Sequence, residues 1–335
     1  MQNPKVSICI PFKDTAHFLP ECLDSILNQT YQNWEILAVN DHSNDSSFEI
    51  LSSYSKKDTR IKVFNNIGAG IIPALRTAYA LGTGMFITRM DSDDIMQPHR
   101  LGVMVESLLA SGKGHVAVGQ VRYFSDRGIS NGYERYEAWL NQLTASGTNY
   151  SEIYKECVIP SPCWMTYRDD FEGCGAFQPN RYPEDYDLTF RFYEKGLQII
   201  PCNEMLHLWR DYDSRTSRTH EHYAQNYFLD IKLHYFLKLD FDSSRPLAIW
   251  GAGFKGKTIA KKLKKQKVNF MWLCDNPNKI GKKIYGKELL HFEALKEFDN
   301  PQSIVTVANE EAQKEIRAYF KKLNQQPMRD YFFFC

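Results

Sequence analysis

The chain is 335 residues long, enough for two domains of ordinary size, and its 43% hydrophobic and 24% charged content excludes a disordered or fibrous chain. No run approaches the ~20 apolar residues that span a bilayer, the opening Met-Gln-Asn-Pro-Lys leads into no apolar signal segment, and no basic stretch carries the aromatic interleaving of a nucleic-acid binder. Eight scattered cysteines form no Cys-x-x-Cys pair, so they signal neither a zinc knuckle nor a redox motif and suit buried free thiols in a reducing cytoplasm.

The first predicted element is a strand, Val6-Ser7-Ile8-Cys9-Ile10, stopped by Pro11. Leu19, Cys22, Leu23, Ile26 and Leu27 then recur at helical spacing. Glu35 to Val39 reads as a second buried strand, closed by Asn40-Asp41-His42-Ser43-Asn44-Asp45. A short helix from Phe48 to Tyr54, a strand from Ile61 to Phe64 and a helix from Ile72 to Leu81 follow, the last stopped by Gly82 and Gly84. Met85 to Met90 is the fourth strand. Strands alternating with helices imply parallel pairing through right-handed crossovers. The polar residues after three strands, near Lys13-Asp14, Asp41 and Asp91, then converge on one edge of the sheet, where open α/β sheets bind ligands.

The fourth strand ends in Asp91-Ser92-Asp93-Asp94. Three carboxylates at a strand end cannot all face the core unpaired, because burying naked charge is too costly. Their oxygens suit a hard divalent cation, and Mg²⁺ prefers one or two carboxylates completed by substrate phosphates. The competing reading is a solvated acidic turn. Farther on, Glu184-Asp185-Tyr186-Asp187 is a second acidic cluster with Arg181 and Arg191 close by. It offers either a general base or an ion-paired helix start.

Charge divides the chain. Residues 1–244 hold 23 Lys and Arg against 31 Asp and Glu, whereas residues 245–335 hold 18 against 9. Such asymmetry predicts a domain boundary and an anionic partner for the second half. The boundary falls between a domain over 1–240 and another over 245–335, with Ser243-Ser244-Arg245-Pro246 ending the linker and Tyr223 to Leu239 forming an aromatic-rich amphipathic helix before it. Leu247 to Trp250 then reads as a strand leading into Gly251-Ala252-Gly253-Phe254-Lys255-Gly256 and a helix. This is Gly-x-Gly-x-x-Gly in a strand–turn–helix context, and the acid expected after the next strand is supplied by Asp275. The same residues spell the P-loop pattern from Gly251 to Thr258. Only about 90 residues remain and the strand at Ser303 to Val307 ends in Ala308-Asn309, so a Rossmann-like half-domain is favoured over an NTPase. A scaffold whose glycines only permit tight packing is the third reading. The lysines from 255 to 267 make either a solvated helix face or a dock for anionic lipid or glycan.

The segment Val6 to Leu101 resembles the nucleotide-sugar-binding half of an inverting family 2 glycosyltransferase of the GT-A fold. The likeness rests on Ile10-Pro11-Phe12-Lys13-Asp14, Ser25 to Tyr31, Asn40 to Asp45, and Arg89 to Asp94 with Pro98 and Arg100-Leu101. Tyr182 to Leu188 is similar to the family's Glu-Asp motif, and Leu208-Trp209-Arg210 with Ser217 to the stretch closing its catalytic domain. The family commonly has Asp-Asp-Gly-Ser and Tyr-Asn where this chain has Asn40-Asp41-His42-Ser43 and Lys13-Asp14. The resemblance implies a GT-A domain, a mixed, mainly parallel sheet flanked by helices, followed here by the small Rossmann-like α/β domain. It implies a nucleotide-sugar donor, UDP-linked, a glycan or lipid-linked acceptor, and Mg²⁺ or Mn²⁺ held by Asp91 and Asp93. Pro11, Asp14, Asp41, Arg76, Asp91 and Ser92 would line the donor site, with Arg89 a second candidate arginine. Asp185 would be the base and Glu184 its alternate; His207 and His220 follow in the region where some relatives supply a further metal ligand, although a lone histidine is more often structural. Gly251, Gly253, Gly256 and Asp275 would form a nucleotide loop in the second domain. The expected location is the cytoplasm, with peripheral contact at an anionic inner membrane face through the C-terminal lysines.

Overall fold

The computed structural model describes residues 3–213, 215 and 227–335. They divide into two compact units, Met1–Asn149 with Val158–Thr219, and Tyr150–Cys157 with His220–Cys335.

The first unit carries β1 (Val6–Phe12), α1 (Leu19–Leu27), β2 (Trp34–Asn40), α2 (Ser47–Lys57), β3 (Ile61–Asn65), α3 (Ile71–Leu81) and β4 (Phe86–Arg89). β5 (Ile95–Met96), α4 (Arg100–Ser111), β6 (His115–Phe124), α5 (Asn131–Ser146), β7 (Trp164–Tyr167), α6 (Arg168–Gly173), α7 (Glu184–Glu194) and β8 (Gln198–Arg210) follow. Its eight-stranded sheet runs β3-β2-β1-β4-β7-β6-β8-β5. β1, β2, β3 and β4 pair in parallel, whereas β7 runs antiparallel to both β4 and β6. β1 and β2 are buried along their whole length, which explains why they read as unbroken apolar runs rather than as alternations. Leu19, Cys22, Leu23 and Ile26 line the buried face of α1 and join Ile8, Ile10, Ile36 and Phe86 in the core. The parallel register brings the carboxyl ends of β1, β2 and β4 to one edge, Phe12 beside Asn40 and Cys9 beside Arg89.

The second unit contains α8 (Tyr227–Tyr235), β9 (Leu247–Trp250), α9 (Phe254–Lys265), β10 (Met271–Cys274), β11 (Lys283–Ile284), β12 (Lys287–His291), β13 (Gln302–Val305), α10 (Glu310–Lys322) and β14 (Tyr331–Phe333). Its sheet runs β11-β12-β10-β9-β13-β14, parallel throughout except for the β11–β12 hairpin. Tyr154 belongs here: its ring stacks on Phe334 at 5.4 Å and its hydroxyl donates to Asp240 Oδ2 at 2.5 Å. The glycines of the first turn have a packing role. Gly251 has φ +111° and a side chain there would meet Thr306 Oγ1 at 2.7 Å, while one on Gly256 would overlap the Gly251 carbonyl. Trp272 Nε1 donates to that carbonyl at 2.8 Å.

All eight cysteines are free; six are buried, and Cys157 and Cys335 are half-buried. Among the described residues no helix is long and apolar enough to cross a membrane. The expected helix from Tyr223 is seen from Tyr227 on; Ser217 and His220 lie outside the described residues.

Candidate active site

The loops after β1, β2 and β3 are tied by side chains answering backbone groups. Asp14 stands at φ 50°, and its Oδ1 accepts the Asn44 N–H at 2.6 Å while its own N–H donates to Ser43 Oγ at 3.1 Å. Asp45 Oδ2 accepts the Ala16 N–H at 2.9 Å. Asp41 is 8% exposed; its Oδ1 takes both Asn66 Nδ2 at 2.7 Å and the Gly70 N–H at 2.8 Å. Pro11 is buried in β1 opposite Val39. These bonds use polar loop residues to close a rigid edge, since fixed loops otherwise cost backbone entropy.

One guanidinium joins the two acidic clusters. Arg89 donates through Nε to Asp91 Oδ1 at 3.0 Å and through Nη1 to Glu184 Oε1 at 2.9 Å. Glu184 is 6% exposed, and its Oε2 has no hydrogen-bond partner among the described residues. Next to it, at the start of α7, Asp185 accepts the N–H of Tyr186 at 2.7 Å. Burial and then the Glu184 carboxylate push the Asp185 acid up to about 7, against the pull of Arg89. Asp187 is bound to Arg191 at 2.8 Å and Arg181 at 3.4 Å, so it anchors the helix start.

On the other side, Asp93 Oδ2 accepts the Tyr212 hydroxyl at 2.7 Å, and its carbonyl accepts Arg210 Nε at 2.7 Å. Burial, then Asp94 and Asp91, raise the Asp93 acid to about 7. Like charges held this close disfavour ionisation unless a cation joins them. Ser92 is buried between the two carboxylates in sequence. Among the described residues no three His, Cys, Asp or Glu side chains are placed to hold a metal. A cation here would take two carboxylates, Asp91 and Asp93, and draw its other ligands from a bound phosphate, the pattern Mg²⁺ favours.

Asp94 and His207 do something else. Asp94 is fully buried, accepting from His207 Nε2 at 2.9 Å and from the Arg210 N–H at 2.8 Å. Nδ1 of His207 lies 3.0 Å from Arg100 Nη1. Arg100 can only donate, so Nδ1 accepts and Nε2 carries the proton to Asp94. Burial and then Arg100 hold the imidazole neutral, its pKa well below the ordinary value. Both ring nitrogens are therefore spent, and none is left for a metal: His207 is a core histidine set between Asp94 and Arg100. Arg100 Nη2 also donates to Thr88 Oγ1 at 3.1 Å and to the carbonyl of Pro162. His207→Ala is expected to destabilise the first unit by about 2–5 kcal/mol, because it takes one hydrogen bond each from buried Asp94 and Arg100 and leaves a cavity; urea denaturation measures this.

Arg76, on α3, gives Nε to the Phe177 carbonyl at 2.8 Å and Nη2 to Asn180 Oδ1 at 2.6 Å and the Gln178 carbonyl. It fastens the segment leading into α7. Arg215, which sequence reasoning passed over, is 8% exposed. Burial opposes its charge, yet Asp94, Tyr123, Asp93 and Asp91 raise its pKa above the ordinary value. Its only sequence signal is an arginine shortly after β8. Tyr212 was missed as well; together with Ser125, Arg127, Ile129, Asp211 and Asp213 it lines a cleft of about 300 Å³. Gly251, Gly253, Gly256 and Asp275 belong to the second unit, where Lys279 Nζ donates to the Ala252 carbonyl at 3.0 Å and Asp275 is exposed at the end of β10.

A curled mixed sheet with acidic loops at its strand ends, flanked by helices, is the GT-A glycosyltransferase architecture. The chain belongs to Glycosyl transferase family 2, whose profile matches residues 7–175. It is 36% identical over 224 residues to glycosyltransferase GlyG of Streptococcus pneumoniae, covering 64% of this chain and 73% of that one. To glycosyltransferase GlyA of the same organism it is 33% identical over 62% of this chain, but it spans only 31% of GlyA's length. The structure of S. aureus TarS 1-349 in complex with UDP-GlcNAc shares the fold with TM-score 0.54 at 15% identity, over 79% of this chain and 73% of that one. Mannosyltransferase PcManGT from Pyrobaculum calidifontis, in complex with GDP-Man and Mn²⁺, does so with TM-score 0.51 at 17% identity, over 70% and 64%.

Proposed function

We propose that the first unit transfers a sugar, with inversion, from a UDP-linked donor to a hydroxyl of a glycan or lipid-linked acceptor of surface-polysaccharide type. The observation that carries this reading is the Arg89 bridge, which ties Asp91, of the Asp91–Asp94 run, to Glu184, the neighbour of Asp185. The acidic run at the end of β4 is thereby linked to the acidic start of α7, which suits a leaving diphosphate on one side and an attacking hydroxyl on the other. Asp41 and Asp14, on the β2 and β1 loops, would receive the base and ribose, with Pro11 and Ser92 lining the floor and Arg76 holding the far wall. A Mg²⁺ or Mn²⁺ ion held by Asp91 and Asp93 would stabilise charge growing on the diphosphate.

Asp185 accepts the proton of the acceptor hydroxyl as its oxygen bonds to the anomeric carbon and the bond to the diphosphate breaks. Glu184 is the alternate base; its ion pair with Arg89 favours a positioning role. Arg89 itself fixes Glu184 and Asp91. The cleft beside Tyr212 is a fitting acceptor entrance, since its hydroxyls, carboxylates and aromatic ring match a sugar surface. The relative PcManGT with GDP-Man and Mn²⁺ and the TarS complex with UDP-GlcNAc support the donor class.

In the second unit, Gly251, Gly253, Gly256 and Asp275 would offer N–H groups to a phosphate and a carboxylate to a ribose. The packing roles of Gly251 and Gly256 equally support a scaffold. An enzyme centred on this unit and an inactive carbohydrate-binding frame are the competing functions. The test is a hydrolysis screen of UDP- and GDP-sugars with and without Mn²⁺. Metal-stimulated release of UDP is the expected result; turnover of no nucleotide sugar, alongside NAD or ATP consumption, overturns the reading.

A further inference from the structure

The glycosyltransferase site leaves the basic face of the second unit unexplained. α9 buries Gly256, Ile259, Ala260 and Leu263 along one stripe. Helical geometry puts Phe254, Thr258, Lys261 and Lys265, at i, i+4, i+7 and i+11, on the line directly opposite. Phe254 is 65% exposed, and Lys261 and Lys265 are exposed as well.

The charge continues beyond the helix. Residues 254–287 contain 11 lysines and one acid, Asp275. The β11–β12 hairpin, which carries Lys282, Lys283 and Lys287, is fastened to α9: Lys264 Nζ donates to the Tyr285 carbonyl at 2.6 Å, and Lys261 stands over the Tyr285 ring at 5.0 Å. Lys287 Nζ donates to Asn269 Oδ1 at 2.6 Å. These partners are carbonyls and a ring, so they hold the lysines in place and leave their charge standing. Carboxylates enter at the margins, where Lys262 pairs with Asp230 and Glu288 faces Lys283 across the hairpin.

We propose that this face, the outer line of α9 with the β11–β12 hairpin, docks on an anionic lipid bilayer with the Phe254 ring entering the headgroup layer. The lysines supply attraction to anionic headgroups within a Debye length. A helix lying in the interface needs an apolar contribution beside its charge, and aromatic rings favour that layer. Phe254 on the same line as Lys261 and Lys265 is what selects a bilayer over a soluble polyanion, which lysines alone would hold.

The test is co-sedimentation of the full chain with vesicles of phosphatidylcholine alone or mixed with phosphatidylglycerol. Binding to the mixed vesicles, absent on pure phosphatidylcholine and weakened by salt, is expected. Lys261→Glu with Lys265→Glu should weaken it by about tenfold or more, and Phe254→Ala by about tenfold, with circular dichroism confirming that both variants are folded. Two results overturn the proposal. One is no binding to the mixed vesicles at low salt. The other is vesicle binding that Phe254→Ala leaves unchanged and that soluble polyglutamate matches, which marks a polyanion site.

Discussion

Asp93→Asn is expected to lower metal-stimulated donor hydrolysis and sugar transfer by roughly 10²–10³ or more, the effect of losing several kcal/mol of charge stabilisation on the leaving group. The fold should survive. Asn keeps an oxygen for the Tyr212 hydroxyl that now donates to Asp93 Oδ2, and the Arg210 bond goes to the backbone carbonyl, which the substitution leaves in place. Burial, and after it Asp94 and Asp91, raises the Asp93 acid to about 7, and Asn brings no charge to bury or to repel. An unchanged or higher melting temperature should therefore accompany the lost activity. Chelation of the wild type with EDTA should mimic the variant, with activity restored by Mn²⁺. A wild-type rate that EDTA does not touch would remove the metal from Asp91 and Asp93.

Asp94 makes the natural control. It lies one residue away, yet it is turned into the core against His207 and Arg210. A defect there should appear first in stability, which distinguishes the two adjacent acids by what each variant loses.

The way these residues sort shows what was legible in the chain. Buried parallel strands announce themselves because both faces are apolar, and β1 and β2 are readable on that ground. The strand-end acids stand out in the sequence because charge at such an edge needs a reason. That Asp94 turns into the core was not readable, since it depends on Arg100 and His207, residues 107 positions apart that meet only in the folded core. The Arg89 bridge spans 95 positions and was hidden for the same reason. Arg89 reads in sequence as a second donor-site candidate beside Arg76, whereas its hydrogen bonds place it between the two acidic clusters. Arg76 makes its bonds 101 to 104 positions away, to the segment before α7. The segment 150–157 carried no sign of belonging to the second unit, because the aromatic packing of Tyr154 on Phe334 is a tertiary match with no periodicity in sequence.

Asp185→Asn should reduce turnover by about 10²–10⁴, the range for a lost general base, while UDP binding in the presence of Mn²⁺ is retained. The pH profile sharpens the assignment. A base works in its ionised form, and burial together with Glu184 raises the Asp185 acid to about 7. Activity in kcat/KM should accordingly fall as pH drops through about 7, well above the range in which an ordinary carboxylate would titrate. Glu184→Gln acts differently. It leaves Arg89 with a neutral partner in place of the ion pair at 2.9 Å and removes the nearest charge that raises Asp185. The acid limb of that variant should shift to lower pH, with activity partly kept. If Asp185→Asn turns over near normally and Glu184→Gln is dead, the base is Glu184, and the ion pair to Arg89 must open during the reaction.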